Sequence, residues 1–133
     1  MEEELTYADA GVDIDASEAA TAALVGAARV AESTAYAGLV DLGDRYLALA
    51  TDGVGTKLLV AEALSDYSTV GIDCIAMNVN DLVAAGVDPV AFVDYRAIET
   101  PDEMVATELG EGLAIGAEQA GIVLVGGETA VMP

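Results

Sequence analysis

The sequence predicts an α+β fold, with about four strands in a mixed sheet and helices packed on one face. Hydrophobic residues make up 54% of the 133 residues, which is enough for a folded core despite 24 acidic residues against 4 basic ones. The apolar patterns follow the order α-β-β-α-α-β-α-β. A Gly-Asp pair between two of the strand patterns predicts a hairpin.

The N-terminal part is predicted to be an arm followed by a helix. Residues 1–14 show no clean periodicity. Asp15 followed by Glu18 resembles a capping box and predicts an alanine-rich helix that runs to about Ser33. We therefore expect an extended arm over residues 1–16 and a single domain over residues 17–133.

The next elements are a hairpin, two helices and a strand. The apolar runs 36–42 and 45–51 flank Gly43-Asp44 and predict the hairpin. Helices are predicted from about Thr56 to Leu64 and from Thr69 to Ala85, and a strand over residues 90–98.

The last helix has the clearest start. Thr100 is predicted to cap it, with Pro101 at its first position, Glu103 at its third and its end at Gly121. A short final strand, 122–125, is predicted to break at a Gly-Gly pair. One helix face carries the residues that we expect to pack on the core: Val105, Leu109, Leu113, Gly116 and Ala120.

The predicted sheet leaves one apolar face uncovered, because the helices pack on the other face. Such a face commonly binds a partner, so we expect a symmetric homodimer.

The formal net charge of −20 excludes several functions. It favours a protein adapted to concentrated salt, where ions screen the repulsion between carboxylates; the alternative is an acidic face that binds a basic partner. A nucleic-acid partner is not expected, because phosphate contacts need a basic surface.

With no histidine and one cysteine, these residues cannot form a Ser-His-Asp triad, a histidine zinc site or a disulfide. Cys74, in an apolar run, is expected to be a buried small residue.

No membrane association is expected, and the expected compartment is the cytoplasm. The N-terminus (MEEE) has neither the basic nor the apolar segment of a signal peptide. The apolar run from Ala19 to Ala28 is too short to span a bilayer.

A glycine-containing loop is the first candidate site. The segment Asp52 to Lys57 (DGVGTK) follows a predicted strand and opens a predicted helix. Gly53 and Gly55 would let main-chain N–H groups approach phosphate oxygens, and Lys57, the only lysine, would add a cation. Asp52 is an oxygen ligand suited to Mg²⁺. The alternative is an ordinary turn with a solvated lysine, and the spacing fits neither a Walker A loop nor a dinucleotide fingerprint.

Polar side chains on an apolar helix form the second candidate site: Asp73, Asn78, Asn80 and Asp81. At about 100° per residue, Asp73 and Asn80 lie about 20° apart and Asp81 about 80° round. Buried carboxylates are costly unless they are paired or bind a metal, so we expect Asp81 to share a Mg²⁺ with Asp52. The alternative is a solvated helix face or helix caps.

Two strands carry the remaining candidates. Asp94 shares a strand face with Phe92 and Arg96, and could simply pair with Arg96. Gly126 and Gly127 follow a strand, so their backbone could approach a ligand while Glu128 binds metal or substrate; the alternative is a plain Gly-Gly turn.

Together these segments resemble the aminoimidazole ribonucleotide synthetase family. The matching segments are YADAGVDIDA (7–16), DGVGTK (52–57), GID (71–73), MNVNDLV (77–83), FVDY (92–95) and GGETAVMP (126–133). Departures are Ala8 for a lysine, Ala16-Ser17-Glu18 for Ala-Gly-Asn, and Val131 for a glutamate. A glycine-rich segment before the hairpin is missing. Family members continue beyond Pro133 into a second α+β domain, so we expect this chain to correspond to the N-terminal, ATP-binding part.

The resemblance implies an ATP-dependent ring closure. ATP activates the amide oxygen of formylglycinamidine ribonucleotide, an internal nitrogen attacks the activated carbon, and aminoimidazole ribonucleotide, ADP and phosphate are released. The implied cofactors are ATP and Mg²⁺. The implied roles are catalysis by Lys57 and Asp94, metal binding by Asp52 and Asp81, substrate binding by Asp9, Asp13 and Glu128, and ATP binding by Asp52, Gly53, Gly55, Thr56, Lys57, Asn80, Gly126 and Gly127.

Two alternatives remain open. The chain could belong to an ATP-using relative of the formylglycinamidine synthetase, selenophosphate synthetase or thiamine-phosphate kinase type. It could also act as a non-catalytic dimerisation or nucleotide-binding module.

Overall fold

The computed structural model describes residues 6–28, 30, 34 and 36–133. The chain divides into two compact units, Met1–Glu32 and Ser33–Pro133. This division differs from the expected arm over 1–16, which stays a prediction.

The first unit contains a turn and helix α1 (Ile14–Ala28). The carboxylate of Asp13 accepts a hydrogen bond from the main-chain N–H of Ala16 at 2.9 Å and so caps the helix. The expected cap at Asp15 is therefore two residues too late. No α1 residue is buried. The expected extension of this helix toward Ser33 lies largely outside the described residues.

The second unit begins with a hairpin. Strands β1 (Gly38–Asp41) and β2 (Tyr46–Leu49) pair antiparallel, with Gly38 opposite Leu49. Gly43 has φ of +92°, which glycine adopts without strain, and Asp41 accepts a hydrogen bond from its N–H at 2.7 Å. The predicted hairpin at Gly43-Asp44 is confirmed.

Three helices and two strands follow: α2 (Lys57–Leu64), α3 (Val70–Ala84), β3 (Ala91–Ile98), α4 (Glu103–Ala120) and β4 (Val123–Val131). The N-cap of α4 is Asp102, whose carboxylate accepts from two N–H groups of the first turn. The predicted cap at Thr100 is two residues too early. The helix ends at Gly121 as predicted, with a left-handed φ of +68°.

The core lies where α3 and α4 pack against β3. Ile75 of α3 is 1% exposed and contacts Ala117 and Ile122, with Phe92 of β3 and Leu113 of α4 packed around them. The predicted apolar stripe of α4 is the buried face of that helix.

Glycines allow α3 and α4 to pack so closely that their backbones are in contact. A Cβ atom added at Gly71 would lie 2.3 Å from the main-chain nitrogen of Leu113 and 2.5 Å from the carbonyl oxygen of Leu109. A Cβ at Gly112 would lie 2.9 Å from the carbonyl oxygen of Ser68. No side chain fits at either position without moving a helix.

Strands β3 and β4 pair in parallel across the α4 connection. Phe92 pairs with Leu124 and Val93 with Gly126, so Val125 is an extra residue that forms a β-bulge. The strand continues to Val131, and the prediction that it breaks at Gly126-Gly127 is wrong. The Gly-Gly pair, which was predicted to end the strand, instead follows a β-bulge inside one continuous strand.

The α+β class and the four strands are confirmed, and helices α3 and α4 lie on one face of β3. The strands form two separate two-stranded sheets, β1-β2 and β3-β4, rather than a single mixed sheet. Among the described residues, no helix is long and apolar enough to cross a membrane.

Candidate functional site

The segment between β2 and α2 places the first candidate residues. It leaves β2 at Leu49 and enters α2 at Lys57. Gly55 has φ of +65°, a left-handed conformation that favours glycine. Neither Gly53 nor Gly55 has a neighbouring atom where a Cβ would lie, so the space beside the loop is open.

The start of this loop is fixed by Asn78, a buried residue of α3. The Oδ1 atom of Asn78 accepts a hydrogen bond from the N–H of Asp52 at 2.8 Å. Its Nδ2 donates to the carbonyl oxygens of Asp52 at 3.1 Å and Cys74 at 2.9 Å. A buried amide with all these partners is stabilised rather than costly. The sequence indicated Asn78 only as one of four polar residues in an apolar helix, without a role of its own.

The end of the loop is tied to the same helix by an ion pair. The Lys57 ammonium donates to the carboxylate of Asp73, near the start of α3. The Lys57 side chain remains 48% exposed, so it stays accessible to a ligand. Lys57 therefore is not the isolated, solvated lysine of the alternative interpretation.

Unpaired donors lie beside this lysine. Within the described part of the chain, the main-chain N–H groups of Gly55, Thr56 and Lys57 donate to no protein acceptor. They belong to the first turn of α2, where the helix dipole also favours an anion. The Thr56 hydroxyl makes no capping hydrogen bond. The loop thus presents main-chain donors and a cation to the same side of a helix start.

Of the four polar residues of α3, Asp73 and Asn78 contact this loop, and on an ideal helix the four span about 160°. With Asp73 as origin, Asn80 lies at about −20°, Asp81 at about 80° and Asn78 at about 140°. Because Asp73 and Asn78 both contact the loop, Asp81 projects between the two contacts and further along the helix axis. Asp81 is half-buried and Asn80 is exposed.

Asp94 approaches the same helix from β3. It shares the inward face of β3 with Phe92 and Arg96, as predicted. Burial, then the carboxylates of Asp94 and Asp52, raise the pKa of the Cys74 thiol above its ordinary value. Both carboxylates therefore lie within electrostatic reach of the middle of α3, and Cys74 is a protonated, half-buried thiol at neutral pH.

Gly127 provides room for Asp94. The two residues pair across the strands, and a Cβ at Gly127 would lie 2.1 Å from Oδ1 of Asp94. The absence of a side chain at residue 127 therefore has a structural reason besides access for a ligand. The alternative ion pair between Asp94 and Arg96 is not formed in the described residues, where Nε of Arg96 is buried without a hydrogen-bond partner.

The remaining candidates are placed elsewhere. Glu128 pairs with Tyr95 on the exposed face of β3, and its carboxylate accepts from the N–H of Thr129 at 2.9 Å. Asp9 and Asp13 belong to the first unit. The hydroxyl and N–H of Thr6 hold the pKa of Asp9 below its usual value, and Asp13 caps α1.

A magnesium ion fits the chemistry of these side chains only in part. The described residues contain no group of three or more carboxylate, thiol or imidazole side chains that could hold a metal. Asp52 and Asp81 are both hard oxygen ligands, and Mg²⁺ usually binds one or two carboxylates together with waters and substrate phosphates. The residues therefore fit a metal completed by a nucleotide, not a site formed by protein alone.

Comparisons with known proteins identify the family. The family described as "AIR synthase related protein, N-terminal domain" matches residues 34–133, three quarters of the chain and almost all of its second unit. The chain belongs to this family. The AIR synthase related domain thus contains the loop, α3, β3 and the Gly-Gly strand together, so the residues that resembled the family in sequence lie on one compact unit.

Several relatives of this AIR synthase related chain are named phosphoribosylformylglycinamidine cyclo-ligase. The protein from Thermococcus gammatolerans is 51% identical over 97% of this chain. Those from Thermococcus kodakarensis and Methanococcoides burtonii are 52% and 49% identical over 97% and 99% of it. The chain spans 42% of the length of each of these relatives.

The alignment with the Thermococcus gammatolerans protein covers 142 positions, more than the 133 residues of this chain. That relative therefore carries residues that have no counterpart here. The predicted absence of a glycine-rich segment before the hairpin stays a prediction.

Proposed function

We propose that this chain is the nucleotide-binding part of a phosphoribosylformylglycinamidine cyclo-ligase of purine biosynthesis. The observation that carries the proposal is the Asp52–Lys57 loop, whose two ends are tied to α3 and whose N–H groups and ammonium lie together. Loops of this construction bind the phosphates of nucleotides. The names of relatives that are about half identical favour the cyclo-ligase over other ATP-using members.

The proposed reaction uses ATP to activate an amide oxygen. The amide oxygen of formylglycinamidine ribonucleotide forms a bond to the γ-phosphorus while the bond from that phosphorus to ADP breaks. An internal nitrogen then bonds to the activated carbon, phosphate leaves with the former amide oxygen, and loss of protons gives aminoimidazole ribonucleotide. Phosphoryl transfer of this kind needs mainly positioning and charge neutralisation.

The residues of the chain would divide these tasks. Lys57 and the main-chain donors of Gly55 and Thr56 would hold the phosphates, and Lys57 would neutralise charge that develops on the transferred group. Gly53, whose N–H donates to the Asp52 carboxylate at 2.7 Å, would contact the nucleotide without donating to it. Asn80, on the same helix face as Asp73, and the backbone of Gly126 and Gly127 are proposed to contact ATP. Asp94 is the proposed second catalytic residue, and Asp9, Asp13 and Glu128 are proposed substrate ligands.

Asp52 and Asp81 would hold Mg²⁺ together with the nucleotide phosphates. When bound, the metal would offset the negative charge of the triphosphate. Asp52 is suited to this because Asn78 fixes its backbone at the start of the loop. In the intact protein, Asp52→Asn and Asp81→Asn should each raise the Mg²⁺ concentration needed for half-maximal turnover.

The decisive variant is Lys57→Ala in the intact protein, assayed for ADP release that depends on formylglycinamidine ribonucleotide. We expect kcat/KM to fall by about 10²–10³, the usual cost of removing a donor to developing charge. The urea unfolding midpoint should barely move, because a partly exposed lysine contributes little to stability. Lys57→Arg keeps the charge but not the compact ammonium, so it should rescue turnover only in part.

Near-normal turnover in Lys57→Ala would show that this loop does not bind the phosphates. ADP release with another substrate, but not with formylglycinamidine ribonucleotide, would instead assign the chain to an ATP-using relative. No turnover in the intact wild-type protein under any salt condition would favour the non-catalytic module.

We also infer that the chain forms a homodimer in the cytoplasm of a salt-adapted cell. The outer face of β3 is exposed and includes Val93 and Tyr95, the latter 68% exposed, and such an apolar face favours a partner. The net charge of −20 opposes association at low salt because like charges are then poorly screened. Light scattering should show a dimer in molar KCl that dissociates as salt is removed; a monomer in molar KCl would contradict the inference.

A further inference from the structure

The two ends of the Asp52–Lys57 loop are attached to α3 in different ways. At Asp52 the attachment is a pair of hydrogen bonds to the buried amide of Asn78, which is 8% exposed. At Lys57 it is an ion pair with Asp73, whose side chain is 30% exposed. The first attachment fixes the backbone, whereas the second fixes the direction of a long, flexible side chain.

An unrestrained lysine would not stay beside this loop. The positive end of the helix dipole repels a cation in the first turn of α2, and the lysine side chain has many rotamers to explore in water. The Asp73 carboxylate offsets both effects, because it attracts the ammonium toward the start of α3. In the described part of the chain, this is the one ion pair that joins residues far apart in sequence.

The ion pair leaves Lys57 able to bind a ligand. An ammonium has three N–H donors, and Asp73 occupies one of them. Two donors remain, and in the described part of the chain the main-chain N–H groups of Thr56 and Lys57, at the same helix start, also donate to no protein acceptor. A phosphate oxygen can therefore bind without breaking the contact with Asp73.

We propose that Asp73 is a positioning residue, which holds the Lys57 ammonium beside the loop so that it is already in place when the nucleotide binds. Asp73 does not contact the nucleotide in this proposal. Its effect passes entirely through Lys57, so it acts on nucleotide affinity and, to the extent that Lys57 does, on the chemical step. The proposal rests on the proposed function of the loop.

A double-mutant cycle on the intact protein tests the proposal. Asp73→Asn, Lys57→Ala and the double variant are compared with the wild type for KM of Mg-ATP and for kcat, at one fixed salt concentration. Asp73→Asn should raise KM for Mg-ATP about threefold to fivefold, the range for a partly exposed ion pair, and should lower kcat by no more than the same factor. In the Lys57→Ala background, Asp73→Asn should change KM no further, because two residues that act through one contact are not additive.

Glu62→Gln is the matched control. It removes one negative charge from α2, beside the loop, and the Glu62 side chain is exposed. KM for Mg-ATP should be unchanged in this variant. An equal rise in KM in Glu62→Gln would overturn the proposal, because general charge and not the contact with Lys57 would then control affinity.

Three further results decide the matter. An unchanged KM in Asp73→Asn, together with an impaired Lys57→Ala, overturns the positioning role and leaves the proposed function intact. The same rise in KM with and without Lys57 overturns it too, because Asp73 would then act by another route. Normal turnover in Lys57→Ala removes the proposed function of the loop and the positioning role together.

Should Asp73→Asn fail to fold, Asp73→Glu keeps the charge and displaces the carboxylate by one methylene. A raised KM with an unchanged unfolding midpoint in Asp73→Glu supports positioning. An unchanged KM overturns it.

Discussion

Helix pair α3–α4 and helix α1 are built from similar residues but are packed in opposite ways. Helix α1 contains seven alanines and one glycine, and α3 and α4 together contain six alanines and four glycines. In α3–α4, Gly71 and Gly112 bring two backbones into contact and Ile75 is 1% exposed. In α1 no residue is buried, and Leu24 is 69% exposed. Small residues therefore stabilise a helix pair only where a partner helix approaches them.

The difference shows where the stability of this very acidic chain arises. Most core residues are small, so the core buries little apolar surface per residue, and close approach of the helices compensates through dispersion contacts. Helix α1 has no such partner among the described residues of its own unit. Its free energy depends on helix propensity and on the Asp13 cap.

The largest effect is expected for Gly71→Ala. The added Cβ meets main-chain atoms of Leu109 and Leu113, which cannot move without displacing all of α4. We expect a loss of about 3 kcal/mol in the free energy of unfolding, the upper range for overpacking, despite the better helix propensity of alanine. Urea denaturation in constant molar KCl measures it, and a loss below about 1 kcal/mol would show that the helices are not in backbone contact.

Gly110→Ala is the matched control for Gly71→Ala. Gly110 is also a helix residue, but no atom lies within 4 Å of the position that its Cβ would take. Alanine should therefore stabilise the protein by about 0.5–1 kcal/mol, through helix propensity and a less flexible unfolded chain. A destabilisation similar to that of Gly71→Ala would contradict the contrast between the two faces of α4.

The smallest effect is expected for Leu24→Gln in α1. Both residues are good helix formers, and the leucine side chain is exposed. The free energy of unfolding should change by less than about 0.5 kcal/mol. If the same experiment gives a loss above about 1.5 kcal/mol, Leu24 is covered in solution and the contrast between α1 and α3–α4 no longer holds.

Much of the fold was predictable because local chemistry determines it. The turn at Gly43-Asp44 and the end of α4 at Gly121 both need a left-handed residue, and glycine is the residue that adopts this conformation readily. The helix caps were less accurate. Asp13 and Asp102 cap the helices in place of neighbouring candidates, because capping depends on the main-chain angle at one residue, which several nearby acids and hydroxyls could adopt.

The pairing of the strands was not predictable from pattern alone. The sequence contains four strand segments, but whether β2 pairs with β3 is decided by tertiary packing, and here the two do not pair. The bulge at Val125 could not be predicted from the sequence either, because two glycines are typical of both a turn and an irregular strand.

The candidate loop was predicted from its residue types, but the sequence did not indicate which side chains hold it in place. The loop residues stand out because glycines, a lone lysine and an aspartate follow one another. Asn78 and the partner role of Asp73 depend on contacts across 26 and 16 residues, and these contacts exist only once α3 lies against the loop. Residue types in the sequence therefore indicate candidate ligand-binding groups more readily than they indicate the side chains that position those groups.

The bulge at Val125 sets the phase of every side chain that follows it in β4. With the extra residue, Glu128 lies opposite Tyr95 on the outer face, and Thr129 lies opposite Arg96. If Val125 paired with Val93 instead of bulging, the unbroken register would put Glu128 opposite Arg96, where a carboxylate could neutralise the guanidinium whose Nε is buried and unpaired. The bulge thus keeps an acid and a base on opposite faces of the same sheet.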